Sequence, residues 1–132
     1  MTKGTKLTLS DLLARKEQRE KDQTEYKAVY VDCLDGELTL KKIPLSRFLD
    51  MMGGIDEGTS PAEAMRAQAE LIYQCCPLFQ KKELQEAYEC VEPTDVVFRV
   101  LDDNIMAISQ LTAEIQSFYG MNLDDYADAL KN

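Results

Sequence analysis

From Leu7 to Leu13 the chain carries four leucines, and from Ala14 to Asp22 it is almost entirely polar. Ser10 reads as an N-cap for a helix over about 11–22, with Asp11 close to the positive end of its dipole. Glu17 and Lys21 add a favourable i,i+4 pair. Beyond Leu13 such a helix offers a core almost nothing, so a frayed or solvent-exposed helix is expected, a helical or partly disordered arm that ordering on binding would suit. After Thr24 the pattern changes from a helical period to alternation. Val29, Val31 and Cys33 fall on one face and Tyr26, Ala28 and Tyr30 on the other. Asp35-Gly36 then separates this run from a second, Glu37 to Ile43, which predicts a β-hairpin closed by a type I′ turn.

Everything that follows has helical spacing. Pro44 stands at the start of Leu45 to Met52, which Gly53-Gly54 stops, and Gly53 to Thr59 reads as a polar loop. Ser60, Pro61 and Glu63 combine an N-cap, a first-turn proline and a capping-box acid. The helix they open carries Ala62, Met65, Ala69, Ile72 and Cys76 as an apolar stripe and ends at Pro77. Lys82 to Val91 predicts a shorter helix with Leu84, Ala87, Tyr88 and Val91 on one face. Thr94 is the expected cap of the last long element, whose stripe is Val97, Leu101, Ile105, Ile108, Leu111, Ile115 and Phe118. That element reads either as one helix or as two broken at Asp102-Asp103-Asn104. Asn122 is placed to cap a final helix over about 123–130. The pattern predicts an α+β chain, mainly α. Residues 1–23 form a charged arm, and residues 24–132 one domain in which an N-terminal β-hairpin precedes a compact bundle of about five helices.

Composition narrows the chemistry. The 132 residues hold no histidine and no tryptophan, four cysteines and a net charge of −9. Without histidine there is no Ser-His-Asp or Cys-His nucleophile pair and no mixed Cys/His zinc site. Cys33, Cys75, Cys76 and Cys90 contain no C-x-x-C spacing, and with no export signal the expected state is reduced thiols in a cytoplasm. The arm carries a net +2 and the remainder −11, an uneven division that argues against a nucleic-acid backbone as partner. Glu83, Glu86, Glu89 and Glu92, and the pairs Asp102-Asp103 and Asp124-Asp125, lie opposite apolar helix faces, where a solvated surface is the ordinary outcome. Gly53-Gly54 lacks the lysine and preceding strand of a phosphate loop. No nucleophile, base and orienter can be assembled, so no enzyme, metal, cofactor or small-molecule substrate is expected, and no run of apolar residues is long enough to cross a bilayer. Apolar surface remains, including six methionines, a side chain suited to adaptable protein contacts.

The segment from Cys76 to Val97 carries a family resemblance. Lys82-Glu-Leu-Gln-Glu-Ala-Tyr88 running into Glu92-Pro-Thr-Asp95 and an apolar helix resembles the tail assembly chaperones of Gram-positive phages and prophages. The charged first helix, the strand rich in tyrosine and valine, and the closing Lys131-Asn132 are similar to that family as well. Its members often have glycine at the position of Glu89, and a glycine followed by an acidic residue at Asp102-Asp103, a departure that leaves open whether continuous helix replaces a turn here. The resemblance implies a chaperone that binds the helical tape measure protein, with the tail tube protein as a further possible partner. It implies work in the bacterial cytoplasm and absence from the mature virion. It assigns no catalytic residue. An acidic DNA mimic or adaptor that inhibits a nucleic-acid-binding protein is the alternative that the charge allows. Because a two-stranded hairpin is marginal alone, the edge around Val29 and Val31, with a groove near Met51 and Met52, is the expected contact for a partner or a sister subunit.

Overall fold

A computed structural model describes residues 6–22, 25–53 and 58–121 of the chain. The helix expected after Asn122 and residues 54–57 of the expected polar loop lie outside these. The elements are α1 (Leu9–Asp22), β1 (Tyr26–Val31), β2 (Gly36–Lys41), α2 (Leu45–Met52), α3 (Pro61–Cys75), α4 (Lys82–Ala87), α5 (Asp95–Val100) and α6 (Ile105–Ser117). Single 3₁₀ turns at Asp32–Leu34 and Pro77–Gln80 join β1 to β2 and α3 to α4. The fold is α+β and mainly α, with the antiparallel hairpin laid on the helices.

α1 begins earlier than Ser10 would allow. Thr8 is the cap: its N–H and hydroxyl donate to the Asp11 carboxylate at 2.8 and 2.9 Å, and the Asp11 N–H donates back to the Thr8 hydroxyl. This reciprocal capping box satisfies two orphan donors, whereas a cap at Ser10 would satisfy one. Leu7 and Leu12 occupy the flanking positions of a hydrophobic staple.

The hairpin departs from the expected type I′ turn. Val31 pairs with Gly36, so four residues form the loop. Asp32 to Leu34 make a 3₁₀ turn, and Asp35 closes it in the left-handed region at φ 49°. Longer hairpin loops are commonly built around such right-handed turns. Cys33 therefore leaves the strand and becomes exposed. The alternation itself holds, with Val29, Val31, Leu38 and Leu40 facing inward, buried.

α3 runs through the centre, packed against α2, α5 and α6. Ser60 caps it by accepting from the Glu63 N–H at 3.2 Å, with Pro61 in the first turn. Its buried face holds Ala69, Leu71, Ile72 and Cys75, wider than the expected stripe. Ala62 is exposed, and Cys76 is buried just beyond the helix. The chain then turns so that Phe79 is fully buried, worth about 1.5–3 kcal/mol in transfer terms. Glutamine side chains close this region. Gln80 Nε2 donates to the carbonyls of Tyr73 and Gln74 at the end of α3, and Gln85 Nε2 to that of Phe79.

Turns form at Glu89, which shortens the helix expected over Lys82 to Val91, and at Asp102-Asp103, where the broken form of the two readings holds. α4 stops at Ala87, and Val91 lies outside it, 90% exposed. Glu89 adopts φ 54° while its N–H donates to Glu86 O and that of Cys90 to Gln85 O. α5 ends in the same way: Asp102 N–H reaches Arg99 O and Asp103 N–H reaches Phe98 O, both acids having positive φ. α6 ends at Gly120, φ 77°, with Gly120 N–H on Ser117 O and Met121 N–H on Gln116 O. All three are Schellman endings, in which a left-handed residue lets two late carbonyls find donors. The long element is thus two helices, the second capped by Asn104, whose Oδ1 accepts from the Ala107 N–H at 3.0 Å. Thr94 does not act as a side-chain cap for α5; Asp95 accepts from the Glu92 N–H instead.

Candidate partner-binding surface

The hairpin is held to the body by polar contacts along β1 and at its base. Lys27 pairs with Glu114 and donates to Ser117, and Gln110 Nε2 donates to the Tyr30 carbonyl at 2.7 Å. α6 therefore runs beside β1 and takes up an edge carbonyl that a partner strand would need. At the base, the Tyr119 hydroxyl donates to Ile43 O at 2.6 Å and accepts from the Ile43 N–H, while its ring stacks on Phe48 at 4.3 Å. Burial raises the Tyr119 hydroxyl pKa above its ordinary value.

These contacts decide what the expected interaction residues can do. Val29 and Val31 are core side chains; a partner at this hairpin would meet Tyr26, Ala28 and Tyr30 instead. Met51 and Met52 are half-buried and packed against the core. The structure does not bring the valines and the methionines together on one exposed surface.

Other apolar side chains are uncovered. α1 exposes Leu9, Leu12 and Leu13 at helical spacing, with Leu9 74% exposed and Leu7 open just before the cap. The outer hairpin face exposes Tyr26 and Tyr30, whose hydroxyl donates to Asp35 at 2.7 Å. Leu45 and Leu49 on α2, and Ile105 and Met106 at the start of α6, are open as well. The α6 pair follows from the break at Asp102-Asp103, which turns Ile105 out of the buried row. Sequence reasoning noticed the leucines but left them without a role. The signal that they belong to a well-formed helix is Thr8-x-x-Asp11.

The chemistry of the remaining groups is quiet. Burial raises the Cys75 thiol pKa to about 12, with neighbouring Cys76 adding to the shift, and burial raises Cys76 as well. Neither can serve as a thiolate nucleophile near neutral pH. Among the described residues no group of three or more Cys, Asp or Glu is placed to hold a metal ion, and no helix is long and apolar enough to cross a membrane. Compared with known family models, curated proteins and solved structures, the chain matches none.

Proposed function

We propose that this protein is a tail assembly chaperone of a phage or prophage in a Gram-positive host. In this reading it acts in the bacterial cytoplasm, holds the helical tape measure protein in solution while the tail forms, and leaves before the virion is complete. It is a binding protein rather than an enzyme. The observation that carries the reading is the row of uncovered leucines on α1, set on a strongly acidic protein. A tape measure protein presents long apolar helix surface before the tube encloses it, an aggregation hazard. A leucine-faced helix can cover such surface by side-to-side packing, and net negative charge keeps the complex soluble. The resemblance of Lys82 to Asp95 to the chaperone family supports the same function.

The test is co-expression with a phage tape measure protein from the genome that carries this gene. The client should become soluble and co-purify, and the double change Leu12→Glu, Leu13→Glu should return it to the insoluble fraction. A client that stays insoluble with the unaltered chain overturns the proposal. So does salt-sensitive capture of a basic nucleic-acid enzyme in its place, the behaviour of a DNA mimic.

A further inference from the structure

The hairpin has two strand edges, and the helices close only one of them. The Lys42 N–H donates to Glu25 O at 2.9 Å and Gln110 takes the Tyr30 carbonyl, which together fix the phase of the ladder. Bonded pairs alternate along an antiparallel ladder, so Lys27–Leu40, Val29–Leu38 and Val31–Gly36 are the pairs that exchange hydrogen bonds. The backbone groups of Tyr26, Ala28 and Tyr30 therefore point away from β2, to the side where α6 lies. Those of Glu37, Thr39 and Lys41 point away from β1. Among the described residues nothing donates to or accepts from these three N–H and three carbonyl groups. The open stretch has a defined end. Ile43, next in the same phase, has both its groups held by the Tyr119 hydroxyl, and Pro44 brings no N–H.

We propose that β2 of one copy pairs with β2 of a second copy, antiparallel about a two-fold axis at Thr39, to make one four-stranded sheet.

The edge is complementary to itself in a single register. Outward groups can bond only to outward groups, so Glu37, Thr39 and Lys41 must meet one another. Centring on Thr39 sets Thr39 against Thr39 and each Glu37 against Lys41 of the other copy. All three facing pairs then exchange two hydrogen bonds each. Sliding the strands by two residues loses one of these pairs. A slide of four sets Glu37 against Glu37 or Lys41 against Lys41. Opposite charges directly across a strand pair stabilise it and like charges destabilise it. Both charges are available: Glu37 is exposed, Lys41 is half-buried, and neither forms an ion pair with another described residue.

The inner faces also join. Cross-strand neighbours share a face, so buried Leu38 of one copy meets Leu40 of the other on the core side. Strand addition draws its affinity from main-chain hydrogen bonds, and a two-stranded sheet, marginal alone, gains two strands by it. The dimer does not depend on what client the chain binds.

Sedimentation equilibrium of the full chain, with amide exchange at Thr39, tests this. The expected result is a reversible dimer whose Thr39 N–H is protected at high concentration and exchanges freely at low. Glu37→Lys and Lys41→Glu should each weaken it by about 10-fold or more, since each turns both attractive pairs repulsive. Mixing these two variants sets lysine against glutamate again, so a heterodimer should form where neither variant associates alone. The joint change Glu37→Lys, Lys41→Glu should restore the homodimer. Thr39→Pro removes the central N–H of the edge and costs the hairpin no ladder bond, so it should abolish dimerisation. Unchanged circular dichroism of the charge variants verifies the fold independently of the proline. A chain that is monomeric at all concentrations overturns the inference and leaves the edge to a strand from another protein. A dimer indifferent to Glu37→Lys and Lys41→Glu, with the Thr39 N–H exchanging freely, also overturns it, because the contact would lie elsewhere.

Discussion

Glu89, Asp102 and Asp103 hold left-handed backbone that L side chains occupy at a cost of about 1–2 kcal/mol each. An aspartate tolerates this region better than a glutamate, whose longer side chain has less access to its own backbone. Glu89 is also exposed, so its side chain returns nothing through burial. Glu89→Gly should therefore stabilise the protein by about 1 kcal/mol, seen as a higher urea midpoint at unchanged slope. A lower midpoint would show that the carboxylate makes up for the strain elsewhere. The sequence marks these positions poorly. Glycine announces a left-handed ending, while an acid in the same place looks like helix, and only the donors waiting at Cys90 and Asp103 reveal the turn.

At the scale of elements, α1 is the clearest case of a helix set by its own ends. Its cap is local to Thr8 and Asp11, and its apolar row finds no place in the core. The Thr8 N–H, followed by the Thr8 hydroxyl, holds the Asp11 carboxyl below the ordinary 3.8. A lowered carboxyl pKa adds to helix stability above the ordinary value and withdraws it as pH falls through the lowered one. The amide signals of Leu9 to Leu13 should therefore report full helix above about pH 4 and fraying on further acidification. In Thr8→Ala the fraying should already be present at neutral pH. Amide shifts that stay constant through the acid range, or a Thr8→Ala arm as helical as the unaltered one, would sink the capping account.

At the scale of the whole molecule, the hairpin is stable because helices complete it. Its inner face is filled by the helical core, its edge carbonyl by Gln110, and its base by Tyr119. Burial couples this assembly to pH through Cys75, whose thiol is raised from 9.0 to about 12. Below pH 9 both folded and unfolded chains keep that proton. Between 9 and about 12 the unfolded chain loses it first, so stability should fall as pH rises through that window. Thermal melts across it should show the decline, with a shallower slope in Cys75→Ala. In the native state, a thiol reagent at mild pH should modify exposed Cys33 quickly and leave Cys75 and Cys76 untouched. Rapid labelling of either buried thiol would contradict the packing.

The sequence by itself determined the order of elements, the two-faced alternation of the hairpin, the Ser60 cap and the helical content. Each of these follows from local periodicity, capping chemistry or proline and glycine placement. Tertiary structure alone decided the rest. It set the loop register that moved Cys33 off the strand, broke the last long helix and so turned Ile105 outward, and committed Val29 and Val31 to the core. It also left the α1 leucines and the outer tyrosines open. Periodicity shows that a face is apolar; what covers it depends on which elements the folded chain brings against it.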